Sequence, residues 1–268
     1  MRKLLAAEWV RLRRSRLLWL GAALLVISNI FAVCLAAQDD PTLYSVETIA
    51  LSGFSFLPLI DAVVISWWIG GDYDQGILRQ KLTVGHTRTA IFLANFVLGA
   101  VASLMLLLVM LASGGVLGYA VFRTFTFSAT DGAHLLLCCL LIGIAIAAIC
   151  VTISMAASSR AAAVVLSLCL MAALIASASV LRGVLFEAGL IHSISISTFT
   201  NAGMAFSPTN PHILTLIQWL YDLLPSGQIS QIMDLENPHW QRWSVLSLVW
   251  ILCFGITGAC IFRHKDIK

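Results

Sequence analysis

Charge is what this sequence has least of. Only 11% of its 268 residues are Asp, Glu, Lys or Arg, while 60% are hydrophobic; a soluble domain carries about 25% charged residues. With a mean hydropathy of +0.94, the chain reads as an integral membrane protein. Cysteine is missing wherever the chain is polar. Cys34, Cys138, Cys139, Cys150, Cys169, Cys253 and Cys260 all lie inside apolar runs, and residues 182–243 have none. That distribution excludes a disulfide framework and a cysteine zinc site, whose ligands stand closer together and nearer water. The thiols read as small hydrophobes.

Chemistry-bearing motifs are absent too. There is no G-x-x-x-x-G-K-S/T phosphate loop, so the chain does not bind ATP by that route. There is no H-E-x-x-H, and the histidines (86, 134, 192, 212, 239, 264) show no metal spacing. Ser226-Gly227 raises an intramembrane serine protease, but His264 lies past the far end of the last apolar run, so nucleophile and base cannot meet. No catalytic or metal-binding residue is assigned, and an enzyme is not expected.

What is present is a succession of long apolar runs. About 20 helical residues cross a hydrocarbon core of about 30 Å. Spans are expected over residues 17–37, 49–70, 96–122, 132–156, 161–181 and 244–262. The first run is too long for a signal-peptide core, and the segment after it only weakly resembles a processing site. Six spans put both termini on one side. Thirteen of the sixteen Lys/Arg residues then fall on that side, leaving Arg123, Arg182 and Arg242 opposite; by the positive-inside rule that side is cytoplasmic. Most acids lean the other way, from Asp39, Asp40 and Glu47 to Asp222, Asp234 and Glu236.

Residues 1–16 form a basic amphipathic stretch. Leu5, Trp9 and Leu12 fall at i, i+4, i+7, with Arg13 among the flanking cations. This reads as an interfacial helix on the inner surface, with Trp9 at headgroup depth, or as a plain topology anchor. Residues 182–243 form the one long outer segment. Ile213, Leu216, Ile217, Leu220 and Leu224 repeat at helical spacing, and Pro225-Ser226-Gly227 is expected to stop that helix. Short helices lying on or dipping into the outer leaflet, or a simple outer cap, both fit.

Three polar signals remain. Asp61 is the one acid inside an expected span; such a group lines a translocation route, couples to a cation, or bonds two helices. Pro58, one turn earlier, is placed to kink that span. Gly114 and Gly118 permit close helix approach, within the chain or between copies. Residues 71–95 hold the most compact polar island, an expected cytoplasmic loop. Within it Gly76, Ile77, Leu78, Arg79, Lys81, Leu82 and Gly85 outline a short glycine-bounded helix, with Arg79 and Lys81 facing water and Asp72 and Asp74 near its N-terminus. It reads as a docking handle or as an ordinary interfacial loop.

The run W-x-x-G-G-D-Y-D-Q-G-I-L-R-Q-K-L-T-V-G-H-T-R, from Trp67 to Arg88, resembles the cytoplasmic loop of type-2 ABC exporter permeases. The start E-W-x-R-L-R-R-S-R, the six spans and the long outer connection resemble the same family, and L-L-P-S-G-Q at 223–228 is similar to bacterial peptide export and immunity permeases. The resemblance implies an all-α membrane protein of six transmembrane helices with both termini cytoplasmic. It implies an N-terminal interfacial helix and short or re-entrant helices between the fifth and sixth spans. It further implies a single permease domain in the bacterial cytoplasmic membrane. Its partners would be a second permease copy or homologous permease, two ABC ATPase subunits and the lipid bilayer, with no nucleic acid. ATP and Mg would be bound by the ATPase, with no cofactor in this chain. Gly76–Leu82 would be the coupling helix, docking Arg79 with Ile77 and Leu82 in an ATPase groove, and Ser158–Arg160 a minor second contact. The implied cargo is an amphipathic, antimicrobial-type peptide or a similar hydrophobic compound. The competing reading is an ATPase-independent carrier or channel centred on Asp61.

Overall fold

Polar caps punctuate the apolar runs and mark where four of the helices begin. The structure, a computed structural model, describes residues 2–38, 44–188, 211–234 and 240–265. Asp39, Asp40, residues 189–210 and residues 235–239 lie outside the described residues. The described residues form eleven α-helices and no strand: α1 (Arg2–Arg13), α2 (Arg16–Ala36), α3 (Val46–Leu51), α4 (Leu57–Asp74), α5 (Ile77–Thr83), α6 (Arg88–Val121), α7 (Ala129–Ala156), α8 (Arg160–Glu187), α9 (Pro211–Leu223), α10 (Pro225–Asp234) and α11 (Trp240–His264). Ser45, Thr87, Ser128 and Ser159 each accept from the backbone N–H of the third residue of α3, α6, α7 and α8. Each such cap satisfies a donor that the first turn leaves unpaired.

Five helices (α2, α6, α7, α8 and α11) are long and apolar enough to cross a membrane. A sixth span exists if α3 and α4 count as one: the segments Val46–Ser55 and Leu57–Asp74 meet at a bend of 46°. The break is a 3-10 turn over Ser52–Ser55. Pro58 sits in the first turn of α4 rather than mid-helix, where its missing N–H has no intrahelical partner to lose. The chain is therefore an all-α, multi-pass membrane protein.

The central helix is α7. Two-thirds of its most apolar window is buried (67%), against 17% for α8 and α11, so it forms the axis on which α4, α6, α8 and α11 pack. Polar side chains bond across the packed faces. Ser66 of α4 donates to Ser167 of α8 at 2.7 Å and accepts from Ser154 of α7 at 2.8 Å. Asn29 of α2 donates to the Met110 carbonyl of α6 at 2.8 Å and accepts from Ser52. In an apolar surrounding each bond spares the cost of an unsatisfied group.

Gly114 and Gly118 seat a neighbour within the same chain. A Cβ on Gly114 would lie 2.6 Å from the Ala50 Cα, and one on Gly118 would lie 3.2 Å from the Val46 Cα. The close partner is α3.

Candidate functional site

The polar island between α4 and α6 is mostly helical. α4 runs on to Asp74 and α6 starts at Arg88, so only residues 75–87 separate them, with α5 in the middle. Both glycines that bound α5 hold positive φ, +66° at Gly76 and +94° at Gly85. Neither has a heavy atom waiting where a Cβ would go, so backbone conformation alone calls for glycine there. Beyond Gly85 the chain closes a Schellman turn: His86 N–H donates to the Lys81 carbonyl at 3.2 Å, and Gly85 N–H to Leu82 at 3.0 Å.

One face of α5 is packed inward. Leu78 is buried in the core, Leu82 rests half-buried against it, and Ile77 lies at its margin. Lys81 is buried too, at 8% exposure, which corrects the expectation that it faces water. Its ammonium lies 2.7 Å from Glu8 Oε1 and 2.6 Å from Asp72 Oδ2. Arg11 pairs with the other oxygen of Asp72, lies 3.4 Å from Glu8, and sits 5.6 Å from the Trp68 ring centre. Two acids and two bases thus neutralise one another where α1, α4 and α5 meet. Glu8 is 5% exposed and Asp72 1%, so removing one member strands a charge away from water. Asp72 belongs to the last turn of α4, with Asp74, in the same helix that carries Asp61.

The outward face of α5 carries Arg79, Gln80 and Thr83, followed by Val84, which is 77% exposed. The expected docking trio therefore divides: Arg79 is free, whereas Leu82 faces the bundle. On α1, Leu5 and Leu12 point inward with Glu8 between them, and Trp9 stands at the exposed margin with Arg13. The inner face is Leu5–Glu8–Leu12, because the ion cluster rather than the indole turns the helix toward the protein.

Other elements close on the same end. Arg160, at the start of α8, pairs with Asp74 at 3.4 Å and lies 4.9 Å from the Trp67 ring centre. A Cβ on Gly70 would lie 2.7 Å from the Arg160 Cα, so α4 and α8 touch through glycine. Lys265, just past α11, donates to the carbonyls of Met155 and Ala157 and to the Tyr73 hydroxyl. Burial pushes its amine below the ordinary lysine range. Arg88 donates to the carbonyls of Arg263 and Lys265.

Asp61 is fully buried between α4, α6 and α7. Its Oδ2 accepts from Ser103 at 2.5 Å, and the same hydroxyl oxygen lies 3.0 Å from the Gly143 carbonyl; Oδ1 has no hydrogen-bond partner among the described residues. At the opposite end Pro225 does more than stop α9, for α10 starts there. That helix pair is pinned by Arg242–Asp222 at 2.7 Å and Arg182–Asp234 at 2.8 Å, with Ser226 donating to the Leu174 carbonyl. Burial raises the Tyr221 hydroxyl above the usual tyrosine range. Among the described residues no group of three His, Cys, Asp or Glu side chains is placed to hold a metal ion.

Sequence reading missed Glu8 and Arg11, and named Asp72 only as an acid near the N-terminus of α5, not as a partner of Lys81. The legible signal was Glu8 itself, the single acid in a basic stretch, three residues from Arg11.

Fold and cluster together define an all-helical, multi-pass membrane protein whose polar contacts concentrate at one end of the bundle. The family model of the ABC-2 family transporter proteins matches residues 4–178, more than half of the chain, and the chain belongs to that family. No curated protein matches it. Membership makes the chain a permease subunit of an ABC transporter and implies an ABC ATPase as its partner.

Proposed function

We propose that the chain is the membrane-spanning half of an ATP-driven exporter. It pairs with a second permease and is driven by two ATPase subunits through α5. The carrying observation is the asymmetry of α5: one face is locked to α1 and α4 by Lys81, Glu8 and Asp72, while Arg79, Gln80, Thr83 and Val84 are free. A push on the free face reaches α4 through a neutralised, buried contact, and helices move as rigid units. The excess of Lys/Arg at this end supports a cytoplasmic orientation for it, in a bacterial cell membrane. The α9–α10 pair caps the other end of the pathway. Apolar spans with few charges suit an amphipathic peptide or similar hydrophobic cargo.

The test is Arg79→Glu combined with Val84→Asp, two exposed positions whose replacement leaves the packed face of α5 alone. The variant is expected to elute as the wild type does, lose ATPase co-purification and lose permease-dependent stimulation of ATP hydrolysis. Undiminished co-purification and stimulation would overturn the reading. One observation favours the carrier reading, the unpartnered Oδ1 of buried Asp61. That reading requires the permease to be purified alone and to transport without ATP.

A further inference from the structure

An open cleft of about 620 Å³ lies where the α1–α2 junction faces α4 and the start of α8. Arg11, Arg14 and Arg160 line it with Trp67, Trp68 and Ser15, and no carboxylate is among the lining residues. Arg11 and Arg160 are held by acids outside the lining, Asp72 and Asp74. Arg14 has no acidic partner among the described residues and is exposed. Two of the three guanidinium groups are thus already countered by acids and Arg14 supplies the uncompensated charge, while the two tryptophans bring aromatic surface of the kind that settles at a membrane interface.

A second cavity, of about 430 Å³, lies between α2, α4 and α8. Its lining is wholly apolar: Leu17, Leu20 and Leu24 of α2, Ile60 and Val63 of α4, and Leu168 of α8 are among its walls. Trp67, Val63 and Ile60 follow at i, i−4, i−7, so both cavities lie against one stripe of α4. From Ser15 to Leu24 the helix rises about 14 Å at 1.5 Å per residue. That is close to half of a hydrocarbon core of about 30 Å. Cleft and apolar cavity, stacked along α4, together cover about the depth of one leaflet.

We infer that this composite groove binds an anionic phospholipid from the leaflet at the basic end. The phosphate sits against Arg14, with Arg11 and Arg160 beside it, and an acyl chain lies along Leu17–Leu24 and Ile60–Val63. Guanidinium groups match phosphate oxygens by charge and by fork geometry. The adjoining apolar wall is what a free phosphate would leave empty. This inference is independent of how the permease couples to its ATPase.

The test uses the full-length permease in detergent with equimolar phosphatidylglycerol and phosphatidylcholine, and counts retained lipid by native mass spectrometry. Wild type is expected to retain phosphatidylglycerol preferentially. Arg14→Gln, which disturbs no ion pair, is expected to lower that retention about tenfold, the effect of losing one charged hydrogen bond. Leu24→Trp, which fills the apolar wall without touching a charge, is expected to lower it as well. Millimolar inorganic phosphate is expected to leave it unchanged. Equal retention of both lipids, retention indifferent to both variants, or displacement by phosphate alone would each overturn the proposal. So would loss of self-association in Leu24→Trp with lipid retention unaltered, since a second copy of the chain would then be the occupant.

Discussion

Lys81 serves two buried acids at once, and its neighbours are mutually dependent. Lys81→Met leaves Glu8 and Asp72 facing each other with only half-exposed Arg11 to offset them. Breaking such a buried set costs about 3–5 kcal/mol, so a clear drop in the thermal unfolding midpoint of the purified permease is expected. Adding Glu8→Gln to Lys81→Met removes a stranded charge, so the double variant is expected to lose less than the sum of the two singles. Strict additivity would show that the cluster is not energetically coupled. The sequence offered little of this. A seven-residue helix has no long periodicity to assign its faces, and Lys81 meets a partner on α1 that is distant in the chain. Asp61 was easier to find, because a carboxylate among apolar residues stands out. Its bond to Ser103 came only with the packing of α4 against α6.

At the scale of elements, the apolar runs were legible because a helix in lipid must close its own backbone hydrogen bonds. The second run was the exception. Its 46° break at the 3-10 turn creates α3 as a separate element, and α3 finds its seat on Gly114 and Gly118 of α6. Glycine spacing announced a close contact; it did not name the partner. Gly114→Leu is expected to push α3 away from α6 and cost about 1–3 kcal/mol of overpacking. Gly115→Leu, at a position where a Cβ meets nothing within 4 Å, is expected to be nearly silent. Thermal midpoints of the two variants side by side decide the matter, and equal effects would mean that close approach is not what Gly114 supplies.

For the molecule as a whole, charge is sorted by end. α1, α5, the α7–α8 turn and the end of α11 gather at the basic end, while the pair α9–α10 closes the other. The proposed orientation is checked with an impermeant maleimide on sealed vesicles, in a background where the seven native cysteines are replaced. A cysteine at Gln80 is expected to label only from the cytoplasmic side. One at Thr126, exposed between α6 and α7, is expected to label only from the opposite side. Labelling of both from the same side would sink the topology and, with it, the place given to α5. The low burial of α2, α8 and α11, at 28%, 17% and 17%, leaves broad apolar faces for lipid or a second permease.

By itself the sequence determined the membrane class, the helical spans and the presence of a polar handle between the second and third. These follow from local quantities, namely the length and hydropathy of a run and the backbone freedom of Gly76 and Gly85. Tertiary structure alone decided which face of that handle is free. Burial of Lys81 depends on Glu8 and Asp72 arriving from two other helices, and a charge enters an apolar bundle only where its counter-charges already stand.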